Sequence, residues 1–85
     1  MNEIFKALND ETRRKILTLL SEKGSLTASE IHEEFKMSKP SISNHLNILR
    51  TAGLVTSEKK GQYIYYTLHT TVLQDLLVWM IKLNK

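Results

Sequence analysis

Residues 26–55, LTASEIHEEFKMSKPSISNHLNILRTAGLV, decide the fold of this chain. They contain two short helical patterns with a tight turn between them. The second pattern has one apolar side, and its opposite side carries Ser and Asn where an ordinary surface helix carries Lys and Glu. A helix that enters a groove and hydrogen-bonds to base edges needs a polar face of this kind. The stretch therefore predicts a helix-turn-helix whose second member is a recognition helix.

The ends of both helices are marked in the sequence. Thr27 and Glu30 have the spacing of a capping box, which satisfies two backbone N–H groups at a helix start. Ser38 is placed to cap the recognition helix, and Pro40 lies in its first turn, where a missing N–H costs nothing. Gly53 ends it. These signals predict helices over about residues 27–36 and 38–52.

The elements on either side complete a recognisable order. Residues 2–8 and 10–24 have helical patterns. Residues 54–59 and 62–68 have the composition of strands, with Lys60 and Gly61 at the turn between them, and the pattern is helical again from Thr70. The predicted fold is mainly α with a β-hairpin, a winged helix-turn-helix of order α-α-α-α-β-β-α. At 85 residues we expect one domain, residues 1–85.

Composition narrows the class of protein. The chain has no cysteine, which excludes disulfides and thiolate metal sites. Lys6, Asp10 and Glu11 interrupt any apolar run at the N-terminus, so we expect no signal peptide. The mostly apolar run of residues 72–83 is too short to span a bilayer. We therefore expect a cytoplasmic protein that does not insert into a membrane.

The positive charge is concentrated in one half of the chain. Residues 1–37 have a net charge of −1 and residues 38–85 a net charge of +4, within a total of +3. The basic half holds the recognition helix and the hairpin, where a phosphate backbone would lie. A half with this charge is also common in small proteins, so charge alone does not decide the question.

The recognition helix supplies the first set of candidate DNA-binding residues. Ser and Asn have only mediocre helix propensity, and nothing in packing calls for so many of them here. The alternative is that they are simply solvated. Lys39 is suited to a phosphate contact, and His45 either contacts phosphate or packs inside. The set is Lys39, Pro40, Ser41, Ser43, Asn44, His45 and Asn47.

The hairpin tip supplies the second set. Lys59, Lys60 and Gln62 form a polar, basic wing beside the recognition helix, suited to phosphates or to a minor groove. The alternative is an ordinary solvated turn. A further basic cluster, Arg13 and Arg14 with their neighbour Lys15, is most simply a solvated helix face, with phosphate contact as the alternative.

The last helix predicts a partner surface. Nine of the twelve residues 72–83 are apolar, about twice what a one-sided stripe requires. A protein this small cannot bury such a helix all round, so we expect a homodimer; a crowded core with some exposed leucines is the alternative. The predicted interface comprises Ile4, Phe5, Leu8, Val72, Leu73, Leu76, Trp79, Met80 and Leu83.

Neither a metal site nor catalysis is indicated. His32, His45 and His69 fall on different elements, and no pair has metal-ligand spacing. No nucleophile–base pattern or glycine-rich phosphate loop is present. We expect no enzyme activity, no metal and no cofactor.

Three segments carry a resemblance to a known family. They are NDETRRKILTLL (residues 9–20), the stretch 26–55 and KKGQYIYYTL (residues 59–68), and together they resemble the bacterial ArsR/SmtB-type winged-helix repressors. MSKPSISNHLNIL (37–49) and TTVLQDLLVWM (70–80) are most similar to the SdpR-type autorepressor branch. The resemblance implies a homodimer formed by the first and last helices. It also implies repression at an inverted-repeat operator, often in the protein's own promoter.

The resemblance does not extend to metal sensing. The cysteine motif of the metal-sensing members would fall within residues 27–35, which contain no cysteine, and of their last-helix Asp and His ligands only Asp75 remains. We therefore expect a metal-independent transcriptional repressor that binds double-stranded DNA. Its release from DNA would then depend on a protein partner, a small molecule or a change in abundance. The alternative is a winged-helix module that binds protein and not specific DNA.

Overall fold

The computed structural model describes residues 2–84, which form five helices and one three-stranded antiparallel sheet. This arrangement confirms the predicted winged helix-turn-helix. In chain order the elements are α1 (Asn2–Leu8), α2 (Glu11–Lys23), β1 (Leu26–Thr27), α3 (Ala28–His32), α4 (Lys39–Thr51), β2 (Val55–Lys60), β3 (Tyr63–Leu68) and α5 (Thr70–Leu83).

Strand β1 is an addition to the predicted order. Leu26 pairs with Tyr66 and Thr27 with Tyr65, so β3 lies between β1 and β2 in the sheet. Two residues are too few to produce an alternating pattern, which is why the sequence predicted only the hairpin. The strand forms because β3 has a second free edge to pair with. It ties the base of the wing to the start of α3.

Helix α3 is shorter than predicted. It ends at His32, and residues 33–37 form a turn where the sequence had suggested helix to about residue 36. The ring Nε2 of His32 lies 2.8 Å from the carbonyl oxygen of Met37, across the turn. Phe35, which the pattern assigned to the helix stripe, is half-buried against the core from the turn itself.

The predicted helix caps are confirmed. The backbone N–H of Thr27 donates to Glu30 Oε1 at 2.8 Å, and the Glu30 N–H donates to Thr27 Oγ1 at 3.2 Å. Ser38 Oγ accepts from the Ser41 N–H at 3.2 Å, which fixes the start of α4. Local sequence therefore decides where both helices of the helix-turn-helix begin.

The hairpin is confirmed with its turn one residue later than predicted. Lys60 pairs with Tyr63, so the turn consists of Gly61 and Gln62. Gly61 has φ of 65°, a conformation that side chains rarely adopt, and this places glycine at the first turn position.

One hydrophobic core holds these elements together. It receives side chains from all of the first four helices and from the sheet. The buried set is Ala7, Ile16, Leu19, Leu20, Leu26, Ile31, Ile42, Leu46, Leu49, Leu54 and Val55. Among residues 2–84, no helix has the length and apolar content to cross a lipid bilayer.

Candidate nucleic-acid interface

The core fixes which side of α4 faces outward. Ile42, Leu46 and Leu49 are fully or almost fully buried, so the helix is held by one face. The predicted reading residues on the other side of the helix are exposed, and so are the two residues that begin it. These exposed residues are Lys39, Pro40, Ser41, Ser43, Asn44 and Asn47. We call this set without Pro40 the reading face.

Two residues of the reading face already take part in hydrogen bonds. Ser41 Oγ accepts from Ser38 Oγ at 3.0 Å, next to the helix cap. Asn47 Oδ1 accepts from an Nη atom of Arg50 at 2.6 Å. Ser43 and Asn44 lie between these pairs, so the middle of the face offers a short amide and a hydroxyl for base edges.

Arg50 is a functional candidate that the sequence argument missed. It is exposed in the last turn of α4, and its bond to Asn47 holds a guanidinium beside the reading face. The signal available in the sequence was the i, i+3 spacing of an amide and an arginine on one helix. A guanidinium at this place is suited to a phosphate oxygen.

The wing residues Lys59, Lys60 and Gln62 are all exposed. Lys60 Nζ lies 5.8 Å from the centroid of the Tyr65 ring, a cation–π distance that favours one direction for an otherwise flexible lysine. Ile64, which pairs with Lys59, is 48% exposed although it belongs to the face of β3 that enters the core further along. The wing therefore extends beyond the core and presents basic and apolar groups together.

Of the predicted solvated face, Arg14 and Lys15 are exposed and Arg13 is half-buried. The Nε of Arg13 donates to the carbonyl of Ala7 at 2.8 Å, and Arg14 donates to the carbonyl of Leu8 at 2.7 Å. Carbonyls in the last turn of a helix lack partners within it, and the two arginines supply them for α1. They are structural donors because α1 ends directly beside the first turn of α2.

His45 lies in the packed position, one of its two predicted alternatives. Its side chain is 17% exposed, with Nδ1 3.2 Å from an Nη atom of Arg13 and 3.8 Å from Asp10 Oδ2. Asp10 caps α2, accepting from the Arg13 backbone N–H at 3.0 Å. That hydrogen bond, helped by the nearby charge of Arg13, lowers the pKa of the Asp10 carboxyl below its ordinary value.

The predicted dimer residues divide between the core and the surface. Ile4, Leu8, Val72 and Leu73 are half-buried against the core of their own chain, and Leu76 is buried. The four half-buried residues still expose part of their surface. Those with large exposed area are Phe5, Trp79, Met80 and Leu83.

The exposed apolar surface is nevertheless extensive. The rings of Phe5 and Trp79 lie 5.9 Å apart between centroids, so α1 and α5 form one surface. Three exposed residues of α5 that were not in the predicted interface extend it: Leu77, Val78 and Ile81. Together with Phe5, Trp79, Met80 and Leu83 they make up the surface that we call the α1–α5 patch.

The other two histidines have local partners. His32 lies against the turn after α3, as described above. His69, which directly precedes α5, has its Nδ1 3.0 Å from the carbonyl oxygen of Gly53. Within residues 2–84 no group of three or more His, Cys, Asp or Glu side chains is arranged to hold a metal ion.

Comparison with known proteins identifies the family. The family described as "Bacterial regulatory protein, arsR family" matches residues 10–57, from the cap of α2 to the start of the wing. The chain belongs to the ArsR family. It is 57% identical over 86 residues to the transcriptional repressor SdpR of Bacillus subtilis (strain 168), an alignment that covers 100% of this chain and 94% of that protein.

More distant relatives are also transcriptional regulators. The chain is 41% identical to the arsenic resistance transcriptional regulator ArsR1 of Pseudomonas putida, over 84% of this chain and 56% of that protein. The crystal structure of the ArsR-family transcriptional regulator RHA00566 superposes with a TM-score of 0.86 at 31% identity, covering 98% of this chain and 84% of that one. The protein is a DNA-binding transcriptional repressor of the ArsR family and not an enzyme.

Proposed function

We propose that this ArsR-family repressor acts in the cytoplasm as a metal-independent homodimer on an inverted-repeat operator, including one in the promoter of its own gene. The observation that carries the proposal is the α1–α5 patch, which exposes large apolar side chains on the same molecule that exposes a polar reading face. A patch of this kind marks an interaction surface.

The reading face would supply the base contacts. Ser43 and Asn44 are exposed at its centre, and an asparagine amide pairs with adenine through one donor and one acceptor in the major groove. Lys39 and Arg50 lie near the two ends of α4, where cations suit the flanking phosphates. The two kinds of contact divide the work: phosphates fix the position of α4, and base edges give the sequence preference.

The wing would add contacts outside the major groove. Lys59, Lys60 and Gln62 are exposed at its tip, and lysines there suit phosphates or the adjacent minor groove. This part of the proposal concerns affinity for any DNA more than sequence preference.

A symmetric dimer follows from an interface that is complementary to itself. Two copies joined through the α1–α5 patch are related by a two-fold axis, so two reading faces meet two half-sites of opposite direction. An inverted repeat is the DNA sequence that matches this symmetry.

Independence from metal is supported by the sequence. The chain contains no cysteine, and α3 and the turn after it have none of the thiolates on which metal-sensing relatives depend. Asp75 of α5 is exposed and has no histidine beside it in the sequence. A regulator of this kind would be released by a protein partner, a small molecule or a fall in its own abundance.

The test combines a gel shift with a footprint. Purified protein is mixed with labelled DNA from upstream of its own gene at several salt concentrations, with a scrambled duplex of the same composition as control. We expect a protected inverted repeat, and a retarded band that the scrambled competitor does not remove. Absence of a specific band even at low salt would overturn the proposal. It would favour the other candidate, a module that uses the α1–α5 patch to bind protein.

A further inference from the structure

A single guanidinium joins three helices beside the reading face. Arg13 of α2 donates through Nε to the carbonyl of Ala7 at 2.8 Å and through Nη2 to the carbonyl of Lys6 at 3.1 Å. Its remaining Nη1 lies 3.2 Å from Nδ1 of His45 on α4. Lys6 and Ala7 belong to the last turn of α1, so Arg13 fastens the end of α1 to the recognition helix.

The contact with His45 requires a particular protonation state. A guanidinium has only donors and keeps its charge in proteins, so Nη1 bonds to Nδ1 only if Nδ1 carries no proton. In a neutral imidazole the proton then lies on Nε2. A second proton would set two donors and two positive charges against each other. Asp10 Oδ2, 3.8 Å from Nδ1, is the acceptor to which a protonated ring would turn.

Three helices pack against α4, and the charged groups that lie close to the His45 ring come from one of them, α2. From α2 they are Asp10 and Arg13. From α1, Glu3 and Lys6 border a groove that continues along α4 beside Asn47. A proton on His45 would strengthen its attraction to Asp10. The same proton would change the contact with Arg13 from attraction to repulsion.

We propose that Arg13 is a positioning residue for DNA reading, and that it orients α4 by donating to neutral His45. The inference rests on the proposed reading face. Asn44 and Asn47 lie one residue before and two after His45, so a rotation of α4 at this point would displace both from the bases. His45 thus acts on the orientation of α4 and does not contact phosphate.

The two roles for His45 predict opposite effects of acid. Acid favours the protonated, positively charged form of an imidazole. If His45 contacted phosphate, the added charge would strengthen operator binding. If it receives a hydrogen bond from Arg13, the added proton removes that bond and weakens operator binding.

The experiment measures the affinity for the footprinted operator by fluorescence anisotropy at about pH 8 and about pH 5.5, at one salt concentration. Arg13→Lys keeps the charge and loses the three-way donor geometry. Arg14→Lys is the matched control, because the Arg14 side chain donates to the Leu8 carbonyl of α1 and not to a group of α4. His45→Asn places an amide oxygen near the position of Nδ1, and the amide has no group that gains a proton in this pH range.

We expect Arg13→Lys to weaken operator binding about tenfold at about pH 8, the usual effect of one lost charged hydrogen bond, while Arg14→Lys binds like the unchanged protein. The unchanged protein should bind less tightly at about pH 5.5. His45→Asn should keep most of the affinity at high pH and should lose this weakening.

Two results would overturn the inference: tighter binding in acid that disappears in His45→Asn, or equal affinities for the Arg13 and Arg14 variants. Circular dichroism checks that each variant folds. If Arg13→Lys does not fold, the pH profile of His45→Asn decides alone. A protein that never distinguishes the operator from a scrambled duplex would instead refute the proposed function, and the inference with it.

Discussion

At the scale of single residues, the reading face owes its properties to what is buried beneath it. Ile42, Leu46 and Leu49 anchor one side of α4 in the core, so the opposite side faces outward. The exposed Ser43 and Asn44 can then be weak helix formers without loss of the helix, because core packing and the Ser38 cap hold it. Their individual contributions to DNA binding are therefore measurable without unfolding the protein.

Asn44→Ala tests the central contact. If Asn44 pairs with a base edge, its loss should reduce specific binding by about 1–3 kcal/mol and relax the preference at one position of each half-site. Binding to a panel of operators with single base changes gives this directly. Ser21→Ala, an exposed position on α2, is the control and should have no effect. An unaltered operator preference in Asn44→Ala would remove this residue from the reading set.

Asp10 gives a prediction about stability. Because the folded state lowers its pKa, the ionised carboxylate stabilises the fold, and this contribution is complete above the ordinary carboxyl pKa. It is lost as pH falls through the lower pKa of the folded state. We expect Asp10→Ala to reduce the free energy of unfolding by about 1 kcal/mol at neutral pH, as for other lost helix caps.

Urea unfolding at neutral pH and at about pH 3 measures the effect. The stability difference between the unchanged protein and Asp10→Ala should narrow in acid. Asp10→Asn, which still caps a helix but does not titrate, should keep its advantage over Asp10→Ala at both pH values. If the stability difference between the unchanged protein and Asp10→Ala were the same at both pH values, the ionised carboxylate would not be the stabilising form.

At the scale of elements, the wing has a base that is packed against the rest of the protein and a tip that is not. At its base, β3 pairs with β1 and Val55 of β2 is buried in the core. At its tip, Lys59 and Lys60 extend beyond any buried side chain. The tip can therefore change without consequence for folding. Its proposed role is in affinity, and affinity through phosphates has a characteristic dependence on salt.

Lys60→Ala should weaken binding to operator and scrambled DNA alike, and should reduce the slope of log affinity against log salt by about 1. Lys23→Ala removes the same charge at the end of α2 and should leave the slope unchanged. Titrations at four salt concentrations are sufficient. Equal slopes for the two variants would mean that the wing does not contact phosphate.

At the scale of the whole molecule, the protein has two exposed candidate surfaces, the reading face and the α1–α5 patch, and one small core. Nearly every apolar residue of the first four helices lies in or against that core, whereas most of the apolar side chains of α5 do not. The imbalance is large for a chain of 85 residues. A second copy covering the α1–α5 patch would remove it.

Trp79→Asp tests the dimer. A charge in the middle of an apolar interface should raise the dimer dissociation constant at least 30-fold, corresponding to about 2 kcal/mol or more. Light scattering coupled to size exclusion measures the mass, and circular dichroism verifies the helix content. Thr71→Asp, an exposed position in the first turn of the same helix, should remain dimeric. A folded dimer of Trp79→Asp would locate the interface elsewhere.

Local sequence determined most of the fold. The capping box of Thr27 and Glu30, the Ser38 cap and the period of the apolar residues in α4 depend on neighbours a few positions apart, so the recognition helix was predictable almost to the residue. The same holds for the exposed polar residues of the reading face, since their exposure follows from the period alone.

Only the tertiary structure decided what depends on distant contacts. Strand β1 exists because β3 passes beside it, and Leu76 is buried by contacts within its own chain. Arg13 and His45 are 32 positions apart, so no local pattern reveals their contact. A side chain's periodicity predicts which face it occupies, but the partner it meets there depends on how the helices pack.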